Sequence, residues 1–469
     1  MKYLKKLFSM TLLIALINAH SSNTPTLTTK LSPAYTQGIA IFNLSQNKLL
    51  GTKNFNQLFN PASLQKLFTA YAALKLLGPE YKFTTTIATT GSISHKRLMG
   101  DLVIKFSGDP TLTTENVEIL LEQVKIAGIT NIKGNIILVG VDYDYQNYGP
   151  GWMWDELDDC YAAPVSNFIL NKNCITANIR NINNQYAQVE LLEPLDIILK
   201  HKVYFSKNKT ESCGLIFEPG YSDSYLLSGC VSYGKDQDHI DIAIRNPVLH
   251  IKNVIAKTLK KYNITFKHKI LISKSVQHYS YSNSWHHNSD SLANIIGSML
   301  KKSDNIIAES LYKKIGQVHS NNIGSWKNGK TAVLNILASH SIILDTKQLK
   351  DGSGLSRYNA ITPNQILELL KVIKHDPEIF EVLFGSLPIS GIDGTLAWLQ
   401  DPVLLGKIHA KTGSMNNIYN LAGYFSDDKN DYAFVIMTAG LLADNRLQKK
   451  LTQETINSLL QQHHIHALV

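Results

Sequence analysis

Beyond its first nineteen residues the chain has no apolar run near the roughly 20 residues that a membrane-spanning helix needs, so no later segment reads as a transmembrane anchor. A dense block of lysine and arginine interleaved with aromatics is also missing, which removes nucleic acid from the expected partners. Cysteine is scarce: Cys160, Cys174, Cys213 and Cys230 are the only four. None belongs to a Cys-x-x-Cys pair, so the spacing argues against a zinc site, and neither a metal nor an organic cofactor is expected. Internal repeats and low-complexity tracts are absent, which excludes solenoids and repeat arrays.

What is present describes a folded, exported protein. The 44% hydrophobic and 18% charged content is that of a globular chain, and 469 residues exceed one ordinary core, so two or more domains are expected. Residues 1–19 read as a cleaved secretory signal: Lys2, Lys5 and Lys6 form the charged start, 7–17 the apolar stretch, and Ala19 a small residue at the cut. No cysteine follows it, so no lipid anchor is expected there, and its removal lowers the net charge from +9 to +6, compatible with a polyanionic cell envelope. The periplasm is the expected compartment. An even number of cysteines in an exported chain predicts disulfides. Of three pairings, the sequential one (Cys160–Cys174, Cys213–Cys230) is preferred because each bond closes a short loop.

Periodicity and punctuation predict a hairpin over 39–50, strands over 83–90, 98–106 and 132–139, and a helix over 115–127 ended by Gly128. Residues 150–245 hold short strands, turns and every cysteine. Asn246-Pro247 opens a helix to 261, and longer helices follow over 292–300, 305–315, 330–340 and 363–375. A hairpin over 420–438 precedes a terminal helix over 445–463, whose apolar residues Leu447, Leu451, Leu459 and Leu460 are expected to pack on a sheet rather than a membrane. His286-His287 reads as surface, and the 463–466 histidines as a solvated tail.

Three short elements carry chemistry. The first is Asn60-Pro61-Ala62-Ser63-Leu64-Gln65-Lys66, opening an apolar helix to 77. Residues three apart share a helix face, so Ser63 and Lys66 stand together, with the small Ala70 and Ala73 continuing that face. A serine in the first turn also lies near free backbone N–H groups. Ser63 is therefore a candidate nucleophile and Lys66 the amine that activates it. The spacing alone is common, recurring at Ser45/Lys48, Ser206/Lys209, Ser232/Lys235, Ser298/Lys301, Ser310/Lys313 and Ser426/Lys429. The second element is Ser303-Asp304-Asn305 at a helix start, where Ser303 suits proton relay and Asn305 an amide contact to a peptide. The third is Lys411-Thr412-Gly413, followed by Ser414. The glycine lets another backbone approach an edge strand closely, and Lys411 with Thr412 suits a terminal carboxylate.

In this order, Ser-x-x-Lys, Ser-x-Asn and Lys-Thr-Gly resemble the signature of penicillin-binding proteins and serine β-lactamases. The stretches 107–112, 151–154, 161–165, 350–357 and 386–396 are similar to those of one subgroup, the class C low-molecular-mass penicillin-binding proteins, D-alanyl-D-alanine carboxypeptidase/endopeptidases. The resemblance implies an α/β (α+β) fold: a transpeptidase/β-lactamase-like domain with a five-stranded antiparallel sheet flanked by helices, plus inserted β-rich domains. It divides the chain into a discontinuous catalytic part, 20–88 with 286–469, and an insert, 89–285. It further implies hydrolysis of peptidoglycan stem peptides through a Ser63 acyl-enzyme, with the backbone N–H groups of Ser63 and Ser414 holding the oxyanion; burial and the nearby Lys411 are expected to lower the basicity of Lys66. β-Lactams would be covalent inhibitors. Membrane association would be at most peripheral, and a homodimer is admissible. Two rivals are a β-lactamase and a non-catalytic peptidoglycan-binding protein. Against the first, Glu193 and Glu309 read as structural rather than as a deacylating base. Against the second, no signature residue is lost. Asp351 and Asp393 read as turn formers beside the site.

Overall fold

A computed structural model describes residues 35–182, 187–192, 198–209, 213–219, 224–235, 237–273, 280–442 and 444–462. The leader over 1–19, Glu193 and the 463–466 histidines lie outside these described residues.

The first sheet is built from both ends of the chain. β1 (Thr36–Asn43) and β2 (Lys48–Lys53) form the early hairpin, and β3 (Ile408–Met415), β4 (Ile418–Ser426) and β5 (Asp431–Ala439) complete it in the order β3-β4-β5-β1-β2. Every pairing is antiparallel, and β3 is an edge. Alternate side chains of a strand face opposite sides, and here both sides are covered. Ile39, Ile41, Leu421 and Ile436 pack with Ile456, Leu459 and Leu460 of the terminal helix α7 (Asn445–Gln462). Ala40, Phe42, Ala422 and Val435 join the larger core of α1 (Gln65–Leu77), α2 (Leu292–Lys302), α3 (Asn305–Ser320), α4 (Trp326–Ala338) and α5 (Pro363–Lys374). The five-stranded sheet between helix layers is the one the resemblance implies, and α7 packs on it as expected.

Some element boundaries differ from those read in the sequence. α1 begins at Gln65, and Ser63 precedes it on a tight turn, Ala62–Leu64, because Ala62 adopts φ 45°. The strand expected over 98–106 is two, Arg97–Leu98 and Leu102–Lys105, and that over 132–139 is Asn131–Ile132 and Ile136–Val139. At Gly100 the chain runs so tightly against Thr90 that a Cβ would strike its carbonyl. α4 starts four residues early, where Ser325 accepts from Asn328 N. A helix over Pro377–Ser386 (α6), capped by Asp376, was not read at all.

The second sheet pairs Ile270–Ser273, Ile136–Val139, Leu102–Lys105, Thr84–Thr90 and Tyr281–Asn288, covered by helices Thr114–Ile126 and Pro247–Lys261. Positions 88 and 286, read above as domain limits, fall within two of its paired strands. His286 is exposed there, as read. Two three-stranded sheets fill much of 174–243. Both disulfides, Cys160–Cys174 and Cys213–Cys230, have the sequential pairing.

Candidate active site

α1 is apolar nearly all round, and ten of its thirteen residues are buried, including Lys66. Burial on every face fixes the helix, and the turn before it fixes Ser63. Left-handed backbone in an alanine costs roughly 1 kcal/mol or more, and it is held here by Asn60, whose Oδ1 accepts from Ala62 N at 2.8 Å. Asn60 Nδ2 in turn donates to the carbonyls of Ser356 and Arg357. β3 lies directly against the turn. A Cβ on Gly413 would stand 2.7 Å from Pro61 O and 3.1 Å from the amide nitrogens of Ser63 and Leu64. Only a glycine lets the edge strand approach so closely.

α2 ends in the left-handed Ser303, after which Asp304 caps α3 by accepting from Ile307 N at 3.2 Å. This break brings Ser303 and Asn305 to the same cleft as Ser63. Lys66 Nζ lies 2.8 Å from Ser63 Oγ, 2.6 Å from Asn305 Oδ1 and 2.9 Å from Ser353 O. Asn305 Nδ2 donates to Tyr161 O at 2.8 Å, which orients the amide. Lys411 Nζ lies 2.9 Å from Ser303 Oγ and 2.7 Å from Thr412 O. The three elements thus meet in one cleft: Lys66 joins Ser63 to Asn305, and Lys411 reaches Ser303. Ser63, Ser303, Asn305 and Ser414 line a cleft of about 620 Å³ together with Glu156, Tyr161, Arg357, Asp444 and Gln448.

Burial is the leading influence on the Lys66 amine, as expected. Burial holds Lys66 down at about 8, while the carboxylates of Glu309, Asp351 and Asp304 pull it back up. Lys411 beside it is held well below the usual lysine range by burial and then by the Lys66 charge. A neutral amine has two N–H bonds and one lone pair. Asn305 Oδ1 and Ser353 O can only accept, so they take the two N–H bonds of neutral Lys66. The lone pair then faces the Ser63 hydroxyl, the geometry needed to receive its proton.

Several contributors were not singled out as site residues in the sequence. Ser353 acts through its carbonyl and Tyr161 through its own, which side-chain motifs do not report. Thr412 Oγ1 is 2.6 Å from Thr395 Oγ1. Asp393 joins Lys301 at 2.6 Å and accepts from Ile389 N, so it ties the end of α2 to the turn that carries Thr395. Asp351 is a buried turn holder, as read. The stretches 350–357 and 386–396 were the available signal for these contacts. Among the described residues no group of three or more His, Cys, Asp or Glu side chains is placed to hold a metal.

The chain matches the model of the D-Ala-D-Ala carboxypeptidase 3 (S13) family over residues 17–462. It is 30% identical over 420 residues to D-alanyl-D-alanine carboxypeptidase DacB of Haemophilus influenzae, an alignment covering 88% of this chain and 87% of that protein. It is similar to the crystal structure of penicillin binding protein 4 (dacB) from Haemophilus influenzae, with a TM-score of 0.84, 29% identity, and 92% and 97% of the two chains covered. A second structure of that protein, complexed with a novel beta-lactam, matches with a TM-score of 0.79 and 28% identity over the same shares.

Proposed function

The chain belongs to the D-Ala-D-Ala carboxypeptidase 3 (S13) family, and from that membership we propose a mechanism of acyl transfer for this serine-type peptide hydrolase of peptidoglycan, with Ser63 as nucleophile and Lys66 as its base. The 2.8 Å approach of a buried, deprotonatable lysine to the Ser63 hydroxyl carries this reading. Lys66 takes the hydroxyl proton as Ser63 Oγ attacks the D-Ala–D-Ala carbonyl. The N–H groups of Ser63 and Ser414 hold the oxyanion, each such donor being worth about 3 kcal/mol. Ser303, bonded to Lys411, passes a proton to the leaving amine, and Asn305 holds the acyl amide. Lys411 and Thr412 receive the terminal carboxylate, with Gly413 giving the strand room. Water then releases the acyl group and regenerates Ser63.

The same reading extends to endopeptidase cleavage of cross-links, to covalent inhibition by β-lactams, and to work in the periplasm after a leader is cleaved. A homodimer is compatible with it. Penicillin incubated with the intact protein should add one adduct on Ser63, and Ser63→Ala should abolish both the adduct and D-Ala release from a stem-peptide substrate. Persistent D-Ala release by Ser63→Ala would refute the assignment. Undiminished adduct elsewhere would do the same.

A further inference from the structure

The carbonyl that helps to orient Lys66 belongs to Ser353, and the turn carrying Ser353 is held from beneath by two buried carboxylates. Glu309, on α3, is fully buried. Its Oε1 accepts from Ser353 N at 2.7 Å, both its oxygens lie 3.1 Å from Gly352 N, and its Oε2 accepts from Trp326 Nε1 at 2.7 Å. Asp351 accepts from Gly354 N, Ser356 N, Asn359 Nδ2 and Trp152 Nε1. Every partner of either group is an N–H donor, the set that an ionised, acceptor-only carboxylate satisfies. The turn has no slack against α3. A Cβ on Gly352 would stand 2.6 Å from Tyr312 Cβ and 2.8 Å from Ala308 O.

Resting on the reading that Lys66 is the base for Ser63, we infer that Glu309 is a positioning residue of the acyl transfer, pinning the 351–354 turn to α3 so that the Ser353 carbonyl keeps its place on the Lys66 amine. Glu309 touches no reacting atom. It acts through two backbone amides and one carbonyl. Its charge adds a second effect. The charged groups facing Lys66 are Glu309 of α3, Asp304 that caps it, Asp351 of the turn and Lys411 of β3. Those facing Glu309 are Asp351, Lys66 and Lys313, the last with its Nζ 3.9 Å over the Trp326 ring, and beside them lies the Tyr312 phenol, which burial keeps protonated. Burial and the Asp351 charge push Glu309 up to about 7, so above neutrality it is mostly ionised and favours the ammonium form of Lys66. Removing the charge makes that amine lose its proton at lower pH.

The test follows Ser63 acylation by benzylpenicillin, read by intact mass from about pH 5 to about pH 10, in the full chain. The wild-type rate should rise with pH through the Lys66 value of about 8. Glu309→Gln should slow acylation about 10- to 100-fold and move its acid limb to lower pH. A folded Glu309→Gln protein with the wild-type rate and limb overturns the inference, because a merely structural glutamate changes stability alone. Trp326→Phe keeps the carboxylate and removes one of its donors, and should slow acylation about 3- to 10-fold. Should Glu309→Gln not fold, a wild-type rate in Trp326→Phe overturns the inference by itself. No adduct on wild-type Ser63 sinks the underlying reading and the inference with it, whereas a normal wild-type adduct beside unaltered variants sinks the inference alone.

Discussion

Single atoms decide how closely the parts of this site approach. Gly413 has no side chain, and a methyl there would meet the Pro61 carbonyl at 2.7 Å and two amide nitrogens at 3.1 Å. These are backbone atoms of a strained turn, so they cannot swing aside as a flexible side chain would. Gly413→Ala must therefore push the edge strand away from Ser63, carrying Lys411, Thr412 and Ser414 with it. Displacements of this size cost about 100-fold when they misplace reacting groups. The penicillin acylation rate of Gly413→Ala is expected to fall by about that factor, with circular dichroism unchanged. A wild-type rate would mean that the strand and the Ser63 turn are not in register for catalysis. The glycine was legible in the sequence as a site of close approach, but its neighbour was not, because Pro61 lies 352 positions away.

Elements were easier to read than the contacts between them. Helices with a clear cap and apolar stripe, such as the one opened by Asn246-Pro247, matched to within a residue. The Lys-Thr-Gly strand was legible as an edge for the same reason, a glycine followed by a hairpin. Pro377–Ser386 escaped because Asp376-Pro377 follows the end of α5 at once and the two runs merge. The Ser63 helix was right in existence and wrong in its first turn, since nothing local marks Ala62 for positive φ. The Pro247–Lys261 helix also carries a testable liability. His250 is buried there, and neither ring nitrogen has a hydrogen-bond partner among the described residues. Burial, then the Lys257 charge, lowers it to about 4 from the 6.5 of an exposed histidine. The unfolded chain therefore takes up a proton that the folded one refuses, so stability falls as pH drops from about 6.5 to about 4 and is lost no further below that. The penalty amounts to about 3 kcal/mol at full extent. His250→Leu should flatten the melting temperature over that interval, and parallel pH profiles for the two proteins would show that the ring is hydrated.

α3 joins the whole molecule. Its first residue is Asn305, and Glu309 follows one turn later. Residues 310–314 grip the segment that the sequence assigns to an insert. Ser310 Oγ donates to Gly108 O, and Tyr143 Oη reaches Ser310 O at 3.0 Å. Lys313, fully buried, meets Asp144 at 2.9 Å and the carbonyls of Gln146 and Val165. Lys314 meets Asp142 at 2.8 Å. Buried ammonium groups are tolerated only with partners, and losing one partner of such a pair typically costs about 3 kcal/mol or more. Two such pairs along one helix are expected to make 142–146 unfold together with the catalytic cleft, although motif spacing assigns them to an insert. Asp144 is partly exposed, so the lower end of that range applies to Asp144→Ala. The variant should lower the melting temperature by several degrees for a protein of this size. Secondary structure and the capacity to bind a fluorescent penicillin should be lost in the same transition, because α3 cannot let go of 142–146 and still hold Asn305 and Glu309 in place. If melting of the variant leaves penicillin binding at the wild-type midpoint while far-ultraviolet dichroism shifts, the two regions unfold separately and α3 does not couple them.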